Sequence, residues 1–155
     1  MRIIRPITVT DAVLDASNLP EDDYPEWDSG TTYSTGDRVI KASTHRVYES
    51  QTDSNSDDPE VGVNADPPTW LDIGPTNRWA PFDEKIGTVA AGAEVIDPSY
   101  LIDDASANGV SYTFTPSALV DSVALINLSG VVLYVKVETT TEGIVYERRL
   151  GLSGG

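Results

Sequence analysis

Apolar positions fall in short runs along this chain, broken every few residues by Gly, Pro, Asn or Asp. β-Branched and aromatic residues cluster between the breaks, which favours many short strands over long helices. Ile3, Ile4, Ile7 and Val9 mark a strand over residues 2–9, and Pro6 within it predicts an edge position, because proline cannot donate to a ladder. Thr10-Asp11 offers an N-cap for one or two helical turns through Ala16, with Asn18 and Pro20 as stops. Ser34-Thr35-Gly36-Asp37 reads as a turn feeding a strand from Arg38 to Ile40; a second strand runs from His45 to Glu49, and a loop returns to Trp70. Farther on, Val110, Tyr112 and Phe114 alternate with Ser111, Thr113 and Thr115, and Leu133, Val135 and Val137 alternate with Tyr134, Lys136 and Glu138. A period of two lets one face of a strand meet a core while the other meets water. Residues 119–127 are more continuously apolar, as expected of a strand covered on both faces, and residues 144–150 add a further strand.

The texture changes past Asp83, with fewer Trp and Pro residues and longer β-like runs. We therefore expect an N-terminal strand and short helix over 1–23, an aromatic-rich module over 24–83 and a second β domain over 84–155. A module of about 60 residues buries only about 60% of its unfolded surface, so large side chains must enlarge its core. Trp27, Trp70 and Trp79 all lie in that part.

Charge narrows the partners. Asp and Glu total 25 against 10 Lys and Arg, a net charge of -15. Binding to phosphate backbones or anionic headgroups relies on Lys and Arg, so nucleic acid and membrane surface are excluded as expected partners. The 155 residues contain no cysteine, which removes disulfides, thiolate nucleophiles and Cys-ligated zinc. No apolar run approaches the ~18 residues of a membrane span, and Met1 to Pro6 lacks the apolar stretch of a signal peptide. The expectation is synthesis in the cytoplasm of the producing cell, without a signal peptide. Two stretches, from Arg5 to Arg38 and from Arg46 to Arg78, contain no basic residue between their ends and read as solvated acidic loops.

Catalytic patterns are weak. Asp53 to Glu60 places oxygen ligands at alternate positions, but a calcium loop of the EF-hand type needs Gly sixth and Glu twelfth, where this chain has Asp58 and Asn64. His45, the one histidine, has no nucleophile elbow to serve. No carboxylate pair is selected by spacing, and no phosphate-binding or dinucleotide fingerprint occurs. We expect no enzyme activity, no metal and no cofactor.

The most specific feature is the string Trp27, Tyr33, Gly36-Asp37, Val39, Tyr48 and Pro67-Pro68-Thr69-Trp70. It resembles the small chitin- and cellulose-binding modules appended to bacterial chitinases. That resemblance implies a compact three-stranded fold binding polysaccharide through exposed aromatic rings, which cover the C–H faces of sugars. On this reading Tyr33, Tyr48, Trp70 and Trp27 form the sugar platform; the alternative is that they form a miniature core, and it weighs most for Trp27 and Trp70. Where many chitinase modules carry an adjacent aromatic pair, Tyr48 is followed by Glu49-Ser50-Gln51-Thr52-Asp53. Arg78 and Trp79 are expected to pack between the two domains.

The longer string from Tyr24 to Asp83, with Leu119 to Leu125 and Val145-Tyr146-Glu147-Arg148 beyond it, is similar to a family of tail proteins of double-stranded DNA bacteriophages. The resemblance implies a virion component of the tail tip or baseplate. Its partners would be other tail proteins, symmetry copies of itself and host-surface polysaccharide. Members often continue beyond this point, so the end at Gly155 is expected to mark a short variant or a truncation. The implied fold is mainly β, a three-stranded carbohydrate-module-like domain followed by an antiparallel β-sandwich-like domain.

Overall fold

Short antiparallel strands joined by long loops make the chain mainly β; the computed structural model describes residues 7–83, 110–116, 118, 120, 122–123 and 132–151. It divides into two units, Met1–Leu119 and Val120–Gly155.

At the centre of the first unit is a three-stranded sheet in the order β2 (Arg38–Lys41), β3 (Arg46–Ser50), β4 (Trp70–Pro75). The predicted turn starts it. Gly36 takes φ +89°, the Asp37 amide donates to the Ser34 carbonyl at 3.0 Å, and the Asp37 carboxylate accepts from the Ser34 amide at 2.7 Å. Antiparallel pairing then sets Val39 opposite Tyr48, and Tyr48 opposite Asp72. The outer edge of β2 is capped by residues 25–27: the Trp27 amide donates to the Ile40 carbonyl at 2.9 Å, and the Ile40 amide to the Pro25 carbonyl at 3.0 Å. Capping of this kind removes an open edge.

The loop after β3 contains a four-residue helix, α1 (Pro59–Gly62). Asp58 is its N-cap, accepting from the Glu60 amide at 2.9 Å, and Pro59 occupies the first helical position, where its missing N–H costs nothing.

The predicted helix through Ala16 reduces to one turn. The Val13 and Leu14 amides share the Thr10 carbonyl, at 2.8 and 2.9 Å, and the backbone then extends into β1 (Leu14–Ser17). Its partner is β5 (Tyr112–Phe114), about a hundred residues away, with Leu14 opposite Phe114 and Ser17 opposite Tyr112. A long-range ladder outweighs the weak helix propensity of such a short segment. The same pairing places residues 110–116 in the first unit, so the chain divides near residue 120 instead of residue 84. Of the strand expected over 2–9, residues 7–9 are not in a strand, and residues 1–6 lie outside the described residues.

The described part of the second unit is chiefly a hairpin of β6 (Val132–Thr139) and β7 (Gly143–Gly151). Its apolar residues alternate as predicted, yet Val137, Tyr146 and Leu150 are exposed. In the run 119–127, Val120 and Val123 are exposed, while 119, 121 and 124–127 lie outside the described residues.

Candidate functional site

Three of the four rings proposed for a sugar platform are inside the module. Tyr33, Tyr48 and Trp70 are 8%, 4% and 1% exposed and form one cluster with Val39, against which Trp27 and Val63 pack. Tyr33 meets Trp70 edge to face at 5.3 Å between centroids. Their polar atoms are occupied as well. Trp70 Nε1 donates to the Asp57 carbonyl at 2.9 Å, the Tyr33 hydroxyl accepts from the Asp28 amide at 2.8 Å, and the Tyr48 hydroxyl lies 3.1 Å from Thr44 Oγ1. Burial pushes the Tyr48 hydroxyl's pKa up, against a smaller opposing effect from Thr44. Rings so enclosed have no face left for a sugar, so the platform expectation is corrected to a core role for these three, for the reason of module size. Trp27 is half-buried, and one face looks toward the Lys41 ammonium at 5.2 Å from the ring centroid.

The two acidic stretches are more structured than solvated loops. Backbone amides outside ladders need acceptors, and a carboxylate is an acceptor with two oxygens. Asp23 receives the Asn77 amide, Glu26 the Ala42 amide and Asp28 the Gly30 amide. In the second stretch Asp53 accepts from the Thr35 amide at 2.9 Å, which lowers its pKa, and Asp57 accepts from Thr69 Oγ1 at 2.8 Å. Lys41 bridges Asp58 and Glu60 at 2.8 and 2.7 Å. Burial opposes the Lys41 charge, but these two acceptors outweigh it and raise its pKa. Asp58 is likewise lowered, the Lys41 and Glu60 hydrogen bonds overcoming its own desolvation. Among the described residues no three His, Asp, Glu or Cys side chains converge as a metal-binding set.

The hub of the second loop is a residue the sequence reading passed over. Asn55 is buried, exchanges both backbone bonds with Tyr33 at 2.8 Å, and donates its side-chain amide to Ser50 Oγ at 3.0 Å and the Thr69 carbonyl at 2.8 Å. Its Oδ1 accepts from the Asp57 amide at 3.1 Å. Nothing in its setting among Ser and Asp residues distinguishes it from a surface turn asparagine.

His45 organises the other side of the sheet. It ends the β2–β3 turn at φ +56°, a conformation uncommon outside glycine. Its ring stacks on Trp79 at 3.9 Å and 17°; Nδ1 faces Glu21 at 3.0 Å and Nε2 faces Asp11 at 3.1 Å. A neutral imidazole donates from one nitrogen and an imidazolium from both. Glu21 also accepts from Thr76 Oγ1 at 3.0 Å. Beside it, Arg46 Nε lies 2.6 Å from Asp72 Oδ2, an ion contact without hydrogen-bond alignment. An open groove of about 620 Å³ runs past His45, Trp79, Phe82, Asp11 and Thr44.

Trp79 does pack, but inside the first unit. Its edge meets Phe82 at 5.9 Å, and Phe82 meets Tyr112 at 5.1 Å and Phe114 at 5.7 Å. The Arg78 carbonyl accepts the Tyr112 hydroxyl at 3.0 Å, and burial pushes that hydroxyl's pKa up to about 12. A chain of rings thus ties the sheet to β5. Comparison of the chain with protein-family models, with curated proteins and with solved structures finds no match.

Proposed function

We propose that the chain is a structural component of a bacteriophage tail tip or baseplate, whose carbohydrate-module-like region serves as a scaffold and not as a sugar platform. The motif string from Tyr24 to Asp83 motivates the tail assignment, and one observation favours scaffolding: Tyr33, Tyr48 and Trp70 are consumed in the core. With its acidic loops tied down by backbone donors, such a module offers a rigid shape for neighbouring subunits, and its net charge of -15 keeps it soluble before assembly. The finer architecture, a carbohydrate-module-like domain followed by a β-sandwich-like domain, belongs to this proposal. Mass spectrometry and immunogold labelling of purified virions test it: the chain is expected at the tail tip, and virions without any copy would refute the assignment.

A second reading, a polysaccharide-binding module, draws on the groove at His45. The partly buried rings of His45 and Phe82 there adjoin a carboxylate and a hydroxyl, the chemistry that stacks on and hydrogen-bonds a sugar, while Trp79 behind them is buried. It predicts retention of the protein on chitin, cellulose or host glycan, weakened by Phe82→Ala and untouched by changes at Trp27. Free passage through all three matrices would remove it.

A further inference from the structure

The β6–β7 hairpin carries an unusual combination of exposed apolar surface and ordered charge. Leu133 pairs with Leu150, Val135 with Arg148 and Val137 with Tyr146 on one face; Lys136 pairs with Glu147 on the other. Two strands alone are marginal in water, and three or more are normally needed. Among the described residues this sheet has two.

Its two edges differ. On β7, Val145 is an extra residue, because Val137 faces Tyr146 while the next residue, Glu138, faces Ile144. A bulge of this kind twists and blunts an edge. β6 runs without interruption from Val132 to Thr139. Along it stands Lys136-Val137-Glu138, opposite charges on one face flanking an exposed valine that points to the other.

We infer that β6 is a self-association edge, to which the β6 strand of a second copy of this chain adds antiparallel with Val137 on the twofold axis. An axis perpendicular to the sheet keeps each residue on its own face. Val137 then meets its own copy, Lys136 meets the partner's Glu138, and Glu138 meets the partner's Lys136. Moving the axis one residue either way sets Lys136 against Lys136 or Glu138 against Glu138, which is unfavourable. Charge therefore selects the register. The product is a four-stranded sheet with the apolar faces of both hairpins continuous. Existing contacts oppose it little: Lys136 Nζ lies 3.1 Å from Glu138 Oε1 with the side chains 40% and 52% exposed, a pair of small worth. The surrounding charge also favours this site. Residues 132–151 hold Lys136, Arg148 and Arg149 against Glu138, Glu142 and Glu147, a neutral stretch in a chain of net charge -15. The proposal goes beyond the tail assignment and rests on the hairpin alone, so it stands or falls independently of whether virions contain the chain.

Sedimentation equilibrium of the full chain tests it. The wild type is expected to form dimers. Lys136→Glu and Glu138→Lys, each alone, place two like-charge pairs across the axis and should each weaken dimerisation about tenfold or more. An equimolar mixture of the two single variants should recover it, since every cross-axis pair is then Glu opposite Lys. Recovery on mixing cannot come from a contact within one chain. Circular dichroism of each single variant checks that the strands persist. A wild type that stays monomeric, single variants that dimerise like the wild type, or a mixture no tighter than its components would each overturn the proposal.

Discussion

Replacing Gly62 by alanine sets two effects of opposite sign against each other. Inside an exposed helix the change ordinarily gains about 1 kcal/mol, because glycine loses more backbone entropy on folding. Gly62 ends α1, and its backbone needs no left-handed φ, so conformation alone gives no reason for glycine. Space does. A Cβ at this position would come closer than 3.0 Å to both Thr69 Oγ1 and Trp70 Cδ1. Neither neighbour yields easily: Trp70 is wedged in the core and held by its Nε1 bond to the Asp57 carbonyl, and Thr69 Oγ1 is held by the Asp57 carboxylate. Overpacking costs about 1–3 kcal/mol, and displacing the two hydrogen bonds adds about 1 kcal/mol each. Set against a gain of about 1 kcal/mol, the expected outcome is a net loss of about 2–4 kcal/mol. That is a large share of the 5–15 kcal/mol typical of a domain. Urea denaturation followed by tryptophan fluorescence reads it directly, since Trp27, Trp70 and Trp79 all report on the first unit. Val61→Ala, next to it on the exposed side of the helix, should change stability by less than about 0.5 kcal/mol. A Gly62→Ala protein as stable as the wild type, or more so, would falsify the packing described around Trp70.

Asn55→Ala removes two donated bonds and one accepted bond from a buried hub, and a loss of about 2–4 kcal/mol in the same denaturation experiment is expected; a change below about 0.5 kcal/mol would contradict its role. Tyr33→Phe leaves the ring but strands the Asp28 amide, for about 1 kcal/mol, whereas Tyr33→Ala should lose about 3–5 kcal/mol; equal effects would mean that the ring is not packed. The Lys41–Asp58 pair makes stability depend on pH at both ends. Asp58 is held below its ordinary 3.8, so its contribution is present above that value and is lost as pH falls through the lower folded value. Lys41 is held above its ordinary 10.5, so its contribution is complete below that value and is lost as pH rises through the raised folded value. Melting temperature measured against pH should therefore fall less steeply above pH 10.5 in Lys41→Met than in the wild type; identical alkaline limbs would rule the linkage out.

Much of the central sheet was legible because its signals are local. The Gly36-Asp37 turn, the two short strands after it and the return to Trp70 depend on residues close in sequence; the structure places β2 and β3 there within a residue, and Trp70 opens β4, a strand that the local pattern marks only as the end of a loop. The β1–β5 ladder was invisible for the opposite reason. Leu14 and Phe114 have no local feature that announces their pairing, and the Thr10-Asp11 cap favoured a helix until a distant strand supplied a better partner. The acidic stretches misled through composition: high charge reads as solvation, while Asp23, Glu26, Asp28 and Asp53 each answer a particular backbone amide.

Alone, the sequence determined a mainly β chain, the turns and strands of its middle, the alternation on β6 and a charge that disfavours anionic partners. It also determined that large rings would gather in a small module. Which way those rings face was decided only by the tertiary structure, because a tyrosine suits a core and a sugar platform equally well. In a sheet of three short strands the rings are the main material available to fill the interior. Tyr33, Tyr48 and Trp70 went inward, and the surface was left to charge, to the groove beside His45 and to exposed side chains such as Val137.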